Sequence, residues 1–177
     1  MKLEIATFGM GCFWGAQAVM NKIEGVVNTE VGFMSGESNE KQNQKKVNPK
    51  SIHIQEAPTY EEVSKGTTKY IEVVQVAFDS TKVSYFTLVA LFWRNHNPTT
   101  LKSQGPHVGP QYRSAIFYNT IYQLDVARES FNAIQRQTAK DLITKIEKAS
   151  QFYKADEAHQ HYFKKMGINM GGVTGLY

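Results

Sequence analysis

The chain has 177 residues, a formal net charge of +4, 41% apolar and 20% charged residues, and one cysteine. That length and apolar content suit one globular domain with its own core, and they argue against a largely disordered chain. A single cysteine excludes an intrachain disulfide, a paired-thiol redox motif within the chain and every multi-thiolate zinc site.

Leu3-Glu4-Ile5-Ala6-Thr7-Phe8 reads as a short strand, broken by Gly9-Met10-Gly11. Ala16, Val19, Met20 and Ile23 recur at helical spacing, which predicts an amphipathic helix over 13–24 with Gly25 as its stop. The β-branched and aromatic run Val26 to Phe33 predicts a second strand. Residues 35–58 are polar and read as a long loop, with a brief edge strand at 51–55. Tyr70 to Phe78 is the clearest strand: Tyr70, Glu72, Val74, Val76 and Phe78 share one face, so Glu72 stands on an otherwise apolar surface. Residues 84–95 predict a helix capped by Ser84 and ended by Asn97-Pro98. A Gly/Pro/His loop over 98–112 precedes a strand from Arg113 to Tyr118. Thr120 with Gln123 suggests a capping box, opening a helix that runs to about Lys140. A strand at Asp141–Glu147, a final helix at Asp156–Lys165 and a glycine-rich tail at 167–177 complete the chain. Strands alternating with helices predict one α+β domain over 1–177, a two-layer sandwich of a mixed sheet covered by helices.

Other features narrow the partners. The first residues carry no apolar signal-peptide core, and the longest apolar-rich run, Tyr85 to Trp93, falls short of the about 20 residues a membrane span needs. The expectation is a soluble, cytoplasmic protein whose lone thiol stays reduced. Lys41, Lys45, Lys46 and Lys50 are the nearest thing to a basic cluster. Glu37 and Glu40 flank them, which favours a solvated loop over a nucleic-acid surface.

The chemistry-bearing segment is Gly11-Cys12-Phe13-Trp14-Gly15, a thiol at a strand-to-helix turn. Helix N–H groups and the helix dipole favour a thiolate there, so the expected Cys12 pKa lies below the free value of about 8.5. Position alone leaves two readings open, a nucleophile or a buried inert thiol.

Gly11-Cys12-Phe13-Trp14-Gly15 resembles the active-site motif of the peptide methionine sulfoxide reductases of the A class, and the resemblance continues along the chain. It includes Pro58-Thr59-Tyr60-Glu61-Glu62-Val63, Glu72-Val73-Val74, His96-Asn97-Pro98-Thr99-Thr100, Gln111-Tyr112-Arg113-Ser114-Ala115-Ile116 and His159-Gln160. These ordered matches cover most of residues 6–165. The resemblance implies a ferredoxin-like α+β fold and reduction of methionine S-sulfoxide, free or in proteins. It implies Cys12 as the nucleophile on the sulfoxide sulfur, Glu72 as the acid that protonates the oxygen, and Tyr60 and Tyr112 as hydroxyl donors to that oxygen. Phe13 and Trp14 would wall a pocket for the S-methyl group. His96 and His159 read as structural. The product on Cys12 would be a sulfenic acid. The tail carries no second Cys to resolve it, so the resemblance implies a one-cysteine enzyme recycled by an external thiol, either thioredoxin or glutaredoxin with glutathione. No metal or organic cofactor is implied.

The sequence departs from the family pattern at three places. His107 stands where the family carries a substrate-binding Asp, which implicates His107 in substrate binding here and replaces an acceptor by a group that donates, accepts or carries charge. The link between Phe33 and Pro58 is longer than usual. Thr68-Lys69-Tyr70-Ile71 replaces the usual approach to the catalytic Glu. Two other readings use the same residues: a Cys–His hydrolase pairing Cys12 with His96, His107 or His159, and a degenerate paralogue that binds oxidised methionine peptides without turnover.

Overall fold

The computed structural model describes residues 1–35 and 57–168. The edge strand expected at 51–55, nearly all of the polar 35–58 stretch and the glycine-rich tail beyond Ile168 lie outside the described residues. The elements in order are β1 (Leu3–Gly9), α1 (Phe13–Met20), β2 (Val26–Ser35), α2 (Tyr60–Ser64), β3 (Tyr70–Asp79), α3 (Tyr85–Arg94), β4 (Ser103–Gln104), β5 (His107–Val108), β6 (Ala115–Tyr118), α4 (Ile121–Gln135), β7 (Lys145–Lys148), β8 (Phe152–Lys154) and α5 (Tyr162–Lys165).

Six strands form one mixed sheet in the order β7-β6-β1-β3-β2-β8. β3 pairs antiparallel with both β1 and β2, and β1 pairs antiparallel with both β3 and β6. β1 and β2 are therefore parallel to each other and joined through α1, while β3 and β6 are parallel and joined through α3. This is the split βαβ arrangement of ferredoxin-like sandwiches that the family resemblance implied, and it agrees with the two-layer α+β sandwich expected from the alternation of elements. β7 adds to β6 in parallel and β8 adds to β2 antiparallel, which makes the sheet mixed.

Alternation along the strands gives the sheet two apolar faces. Ala6, Phe8, Val31, Phe33, Val74, Val76, Phe78 and Ile116 meet the helices through Phe13, Ala16 and Met20 of α1, Leu88, Val89 and Phe92 of α3, and Ala127 of α4. Met34, Ile71, Val73, Ala115 and Phe117 face the other way and pack with Ala149 and Phe152. Every side chain of β3 from Tyr70 to Val74 is buried, Glu72 included.

Several boundaries differ from expectation for local reasons. α1 ends at Met20, because Asn21 already caps it and Gly25 (φ +95°) turns the chain into β2. α4 stops at Gln135, whose side-chain amide donates to the Lys140 carbonyl and accepts from the Leu142 N–H, folding the chain back before β7 starts at Lys145. Thr120 accepts from the Gln123 N–H, but the Gln123 side chain reaches Asn119 N–H and Ile5 O instead of closing a capping box. The complete box is at α2, where Thr59 and Glu62 exchange hydrogen bonds. The expected last helix is split: residues Glu157–His159 form a 3-10 turn, His161 adopts φ +51°, and only then does α5 begin. The 98–112 loop contains the β4–β5 hairpin and a 3-10 turn at Pro110–Tyr112. β8 has no counterpart in the sequence reading.

His96 is structural, as expected. It is 6% exposed, its Nδ1–H donates to the Phe92 carbonyl at 2.6 Å, and its Nε2 lies 2.6 Å from Ser114 Oγ. A carbonyl only accepts, so Nδ1 carries the proton and Ser114 donates to Nε2; Thr144 completes the chain by donating to Ser114 at 2.6 Å. Burial holds this imidazole neutral and pushes its pKa down to about 4. Unfolding releases a histidine of pKa about 6.5 that binds the proton more readily, so His96 supports the fold above pH 6.5 and that support is lost as pH falls towards 4. Urea unfolding between pH 7 and 4 should show wild type losing up to about 3 kcal/mol more than His96→Gln; parallel pH profiles would refute the assignment.

Candidate active site

Strand β1 delivers the chain to the site. Gly11 takes φ +92°, a conformation that suits glycine, and turns β1 into α1 so that Cys12 becomes the N-cap of the helix. Phe13 is then the first helical residue. Its N–H has no partner inside the helix, and it donates to Glu72 Oε2 at 2.9 Å across fifty-nine residues of chain. Glu72 reaches it from the helix-facing side of β3, where it pairs in register with Phe33 of β2 and is 2% exposed. The strand parity read from the sequence is therefore the geometry that brings the carboxyl beside the thiol.

Burial raises the Glu72 pKa to about 7, against the lowering influence of the Phe13 N–H. The carboxyl can therefore carry a proton near neutrality, and Oε2, which accepts from Phe13, leaves Oε1 as the oxygen to hold it.

The expectation of a low-pKa thiol is overturned. Cys12 is pushed up to about 12, first by burial and then by the charge of Glu72. The N–H groups of Trp14 and Gly15 do favour the thiolate, as the helix start led one to expect, but they are outweighed. Position at a helix terminus is readable in a sequence; the depth of the thiol and the carboxylate opposite it are not.

Tyr60 is the first residue of α2, and Tyr112 ends the 3-10 turn before β6. Both are half-buried, and both phenols are raised above their ordinary range by burial and then by Glu72, with Cys12 contributing as well; Tyr112 reaches about 12. Each hydroxyl therefore keeps its proton at neutral pH and stands within electrostatic reach of the thiol and carboxyl. Gln111 ties the two walls together, its amide donating to Ser64 O at the end of α2 while its own residue lies inside the Tyr112 turn. His107, on β5, places its ring 5.2 Å from that of Tyr112.

The other side of the site is aromatic. Phe13 is fully buried against Phe33 (5.7 Å) and Tyr60 (6.1 Å), and Trp14 stacks on Tyr162 at 3.9 Å. His159 stacks on Tyr60 at 4.1 Å and lies 5.9 Å from both Phe13 and Trp14. The sequence reading treated His159 as structural and did not single out Tyr162. The structure makes both part of the aromatic wall, together with Phe13, Trp14 and Tyr60.

Two buried glutamines hold that wall. Gln160 is 3% exposed. Its amide takes the Val31 N–H at 2.9 Å and returns its own N–H to the Val31 and Ala155 carbonyls at 2.8 and 2.9 Å, doing with a side chain what a neighbouring strand does with its backbone. Gln17 of α1 donates to Thr29 O and accepts the His161 N–H at 2.6 Å. The segment bearing His159 and Tyr162 is thereby fastened to β2 and α1 at once. Among the described residues no group of three or more His, Cys, Asp or Glu side chains is arranged to hold a metal ion, and no helix is long and apolar enough to cross a membrane.

Comparison with known proteins places this geometry. The family model described as Peptide methionine sulfoxide reductase matches residues 4–171. A Methanococcus maripaludis protein named Peptide methionine sulfoxide reductase MsrA is 44% identical over 162 residues, 92% of each chain. The Arabidopsis thaliana Peptide methionine sulfoxide reductase A2 is 41% identical over 94% of this chain and 68% of its own. Among solved structures, Mxr1 of Saccharomyces cerevisiae in reduced form superposes with a TM-score of 0.81 at 30% identity, covering 98% of this chain and 91% of the other. Methionine sulfoxide reductase A of Corynebacterium diphtheriae gives 0.75 at 28%, covering 94% and 76%.

The glutamine fastening has a direct test. Gln160→Ala removes a side chain that satisfies buried backbone groups, a loss of about 1–3 kcal/mol. Hydrogen exchange at the Val31 amide should accelerate together with the drop in urea stability. An unchanged Val31 exchange rate in a destabilised variant would show that Gln160 does not hold this segment.

Proposed function

The chain belongs to the peptide methionine sulfoxide reductase family, oxidoreductases that reduce methionine sulfoxide to methionine, and on that premise we propose how its own residues divide the work. Cys12 is the nucleophile, Glu72 the acid, Tyr60 and Tyr112 the hydroxyl donors to the sulfoxide oxygen, and Phe13 and Trp14 the wall against the S-methyl group. His107 borders the substrate beside Tyr112. The observation that carries this reading is the Phe13 N–H to Glu72 hydrogen bond, which sets a carboxyl of pKa about 7 beside the helix cap that bears the thiol.

The sulfoxide carries an electrophilic sulfur and an electron-rich oxygen. Phenols and a neutral carboxyl donate hydrogen bonds to that oxygen and draw charge off the sulfur. Cys12 sulfur attacks; the Glu72 carboxyl proton goes to the oxygen and the thiol proton replaces it on the carboxylate. The oxygen leaves the substrate with Cys12, giving methionine and a Cys12 sulfenic acid, with substrate sulfur reduced and cysteine sulfur oxidised by two electrons. With one cysteine in the chain, recycling falls to an external thiol. Two equivalents return Cys12 to the thiol with a disulfide and water as products. Thioredoxin, or glutathione with glutaredoxin, supplies them, and the cytoplasm is the compartment that maintains such thiols.

This mechanism explains how a thiol with a raised pKa serves as a nucleophile. Part of the rise comes from the ionised Glu72. Burial, the larger cause, remains, but protonation of the carboxyl removes the repulsion, so the state that supplies the acid is also the one in which the thiol gives up its proton more readily. The hydrolase alternative has less support, since both ring nitrogens of His96 are engaged by Phe92 and Ser114 and the rings of His107 and His159 pack on tyrosines.

Incubation with one equivalent of methionine S-sulfoxide and no reductant should yield one methionine per chain and one added oxygen on Cys12 by mass spectrometry. Cys12→Ser should yield none; full turnover in that variant would end the proposal. Glu72→Ala should slow the first turnover by roughly 10²–10⁴, the range for a positioned acid. The wild-type single-turnover rate should fall as pH rises through about 7, where Glu72 gives up its proton. Glu72→Gln, slower but without a titrating carboxyl, should lose that fall; a wild-type limb that survives in Glu72→Gln belongs to another group.

A further inference from the structure

The two tyrosine walls of the site differ in charge. From Ser80 to Thr120 the chain holds no Asp or Glu, and the Tyr112 wall lies inside that stretch. The β4–β5 hairpin arranges its cations. Gln104 pairs with His107, Ser103 pairs with Val108, and the Gly109 N–H donates to Lys102 O at 2.8 Å. Alternation therefore puts Lys102, Gln104 and His107 on one face of the hairpin. That face is fixed, because the fully buried Gln104 accepts from the Asn97 N–H and donates to the Asn97 carbonyl. The His107 ring on it meets Tyr112.

A further cation approaches from the start of β3. Arg113, next to Tyr112, donates to the Lys69 carbonyl at 3.1 Å, and the Lys69 ammonium lies 5.8 Å from the centre of the Tyr70 ring, two residues before Glu72. Neither Lys69 nor Lys102 forms an ion pair with a described residue. On the Tyr60 side the first turn of α2 carries the exposed Glu61 and Glu62 next to Tyr60 itself, with Lys65 only at the far end of that helix.

We propose that this asymmetry selects the substrate: the Tyr112 side, through His107, Lys102 and Lys69, receives a carboxylate adjoining the methionine sulfoxide, so acidic peptides are preferred over basic ones. The inference rests on the reading of the site given under Proposed function. Lys102 and Lys69 attract the carboxylate through solvent and a His107 ring N–H donates to it, which together give a preference of about fivefold to tenfold. Lys102 is exposed and Lys69 half-buried, so the charge part of the preference is screened by salt.

The test uses capped peptides in which methionine S-sulfoxide is flanked by Asp or by Lys, plus a neutral peptide with a free C-terminal carboxylate. With dithiothreitol as reductant at low ionic strength, kcat/KM should favour the Asp-flanked peptide by five- to tenfold, and the ratio should shrink towards unity in 0.5 M salt. His107→Asp and Lys102→Glu should each lower the ratio several-fold, acting on kcat/KM. Lys82→Glu makes the same change in net charge as Lys102→Glu beyond the far end of β3, about 30 Å away, and should leave the ratio alone. A gain in the free-carboxylate peptide alone would assign the subsite to the substrate's C-terminus rather than to a flanking side chain. Equal reduction of all peptides, or a ratio that Lys82→Glu changes as much as His107→Asp does, overturns the inference and leaves the reductase reading intact. Failure to reduce any peptide or free methionine S-sulfoxide overturns that reading instead.

Discussion

One hydrogen bond holds the site in place. The first N–H of α1 points out of the helix with no partner of its own, and the Glu72 carboxyl accepts it from β3. Among the described residues, this is the hydrogen bond that accounts for a carboxyl 2% exposed on the strand face that carries Val74 and Phe78. The bond alone favours the ionised carboxylate, whereas burial opposes it, and burial wins. A shift from 4.5 to about 7 corresponds to roughly 3 kcal/mol against the charged form. A second N–H donor, or a cation within a few ångströms, would tip the balance back and leave an ordinary carboxylate that cannot donate a proton near neutrality.

Cys12 and Glu72 behave as a pair that tolerates one negative charge. Both groups are kept from water, and the Glu72 charge further opposes ionisation of Cys12, so the resting site holds a thiol. A protonated thiol is slow to react with adventitious oxidants, since reactivity follows thiolate character. A chain with a single cysteine has no second thiol to trap a sulfenic acid as a disulfide before it oxidises further, so under the proposed mechanism a nucleophile that forms only beside a polarised sulfoxide suits it. Under the proposed mechanism the helix terminus stabilises the thiolate as it forms during attack and does not maintain one at rest.

Residue patterns of short range were legible in the sequence, and depth was not. The parity of Tyr70–Phe78 put Glu72 on the helix-facing side of β3, and the glycine before Cys12 put the thiol at a helix start, so the places of both groups in the fold could be read without coordinates. The βαββαβ order followed from alternating periodicities. The thiol pKa was misread because a helix terminus is a local feature, whereas desolvation comes from the folded core and the facing carboxylate from a strand far along the chain. The C-terminal segment was misread as one helix because its anchor is a side-chain amide on β2, and His161 must leave helical geometry to let Gln160 reach Val31. Trp14 stacking on Tyr162 follows from that anchoring and has no sequence signature of its own.

The scaffold around the acid is neutral where charged residues would have served mechanically. Gln17, Gln104, Gln111 and Gln160 are each 3% exposed or less, and they pin α1, the hairpin, the Tyr112 turn and the C-terminal segment to their neighbours. An ion pair in any of these places would hold the chain equally well. At an effective dielectric of about 20, however, a buried unit charge still acts with roughly 1–2 kcal/mol at about 10 Å, a sizeable part of the margin that keeps Glu72 near neutrality. Amides supply both donor and acceptor with no net charge, so they fasten the walls without moving the titration of Glu72 or Cys12. The cations stay at the rim, where solvent screens their effect on the acid but leaves enough attraction to orient an incoming carboxylate. The division between neutral fastenings inside and charges outside lets one site have both a poised proton donor and an electrostatic preference for its substrate.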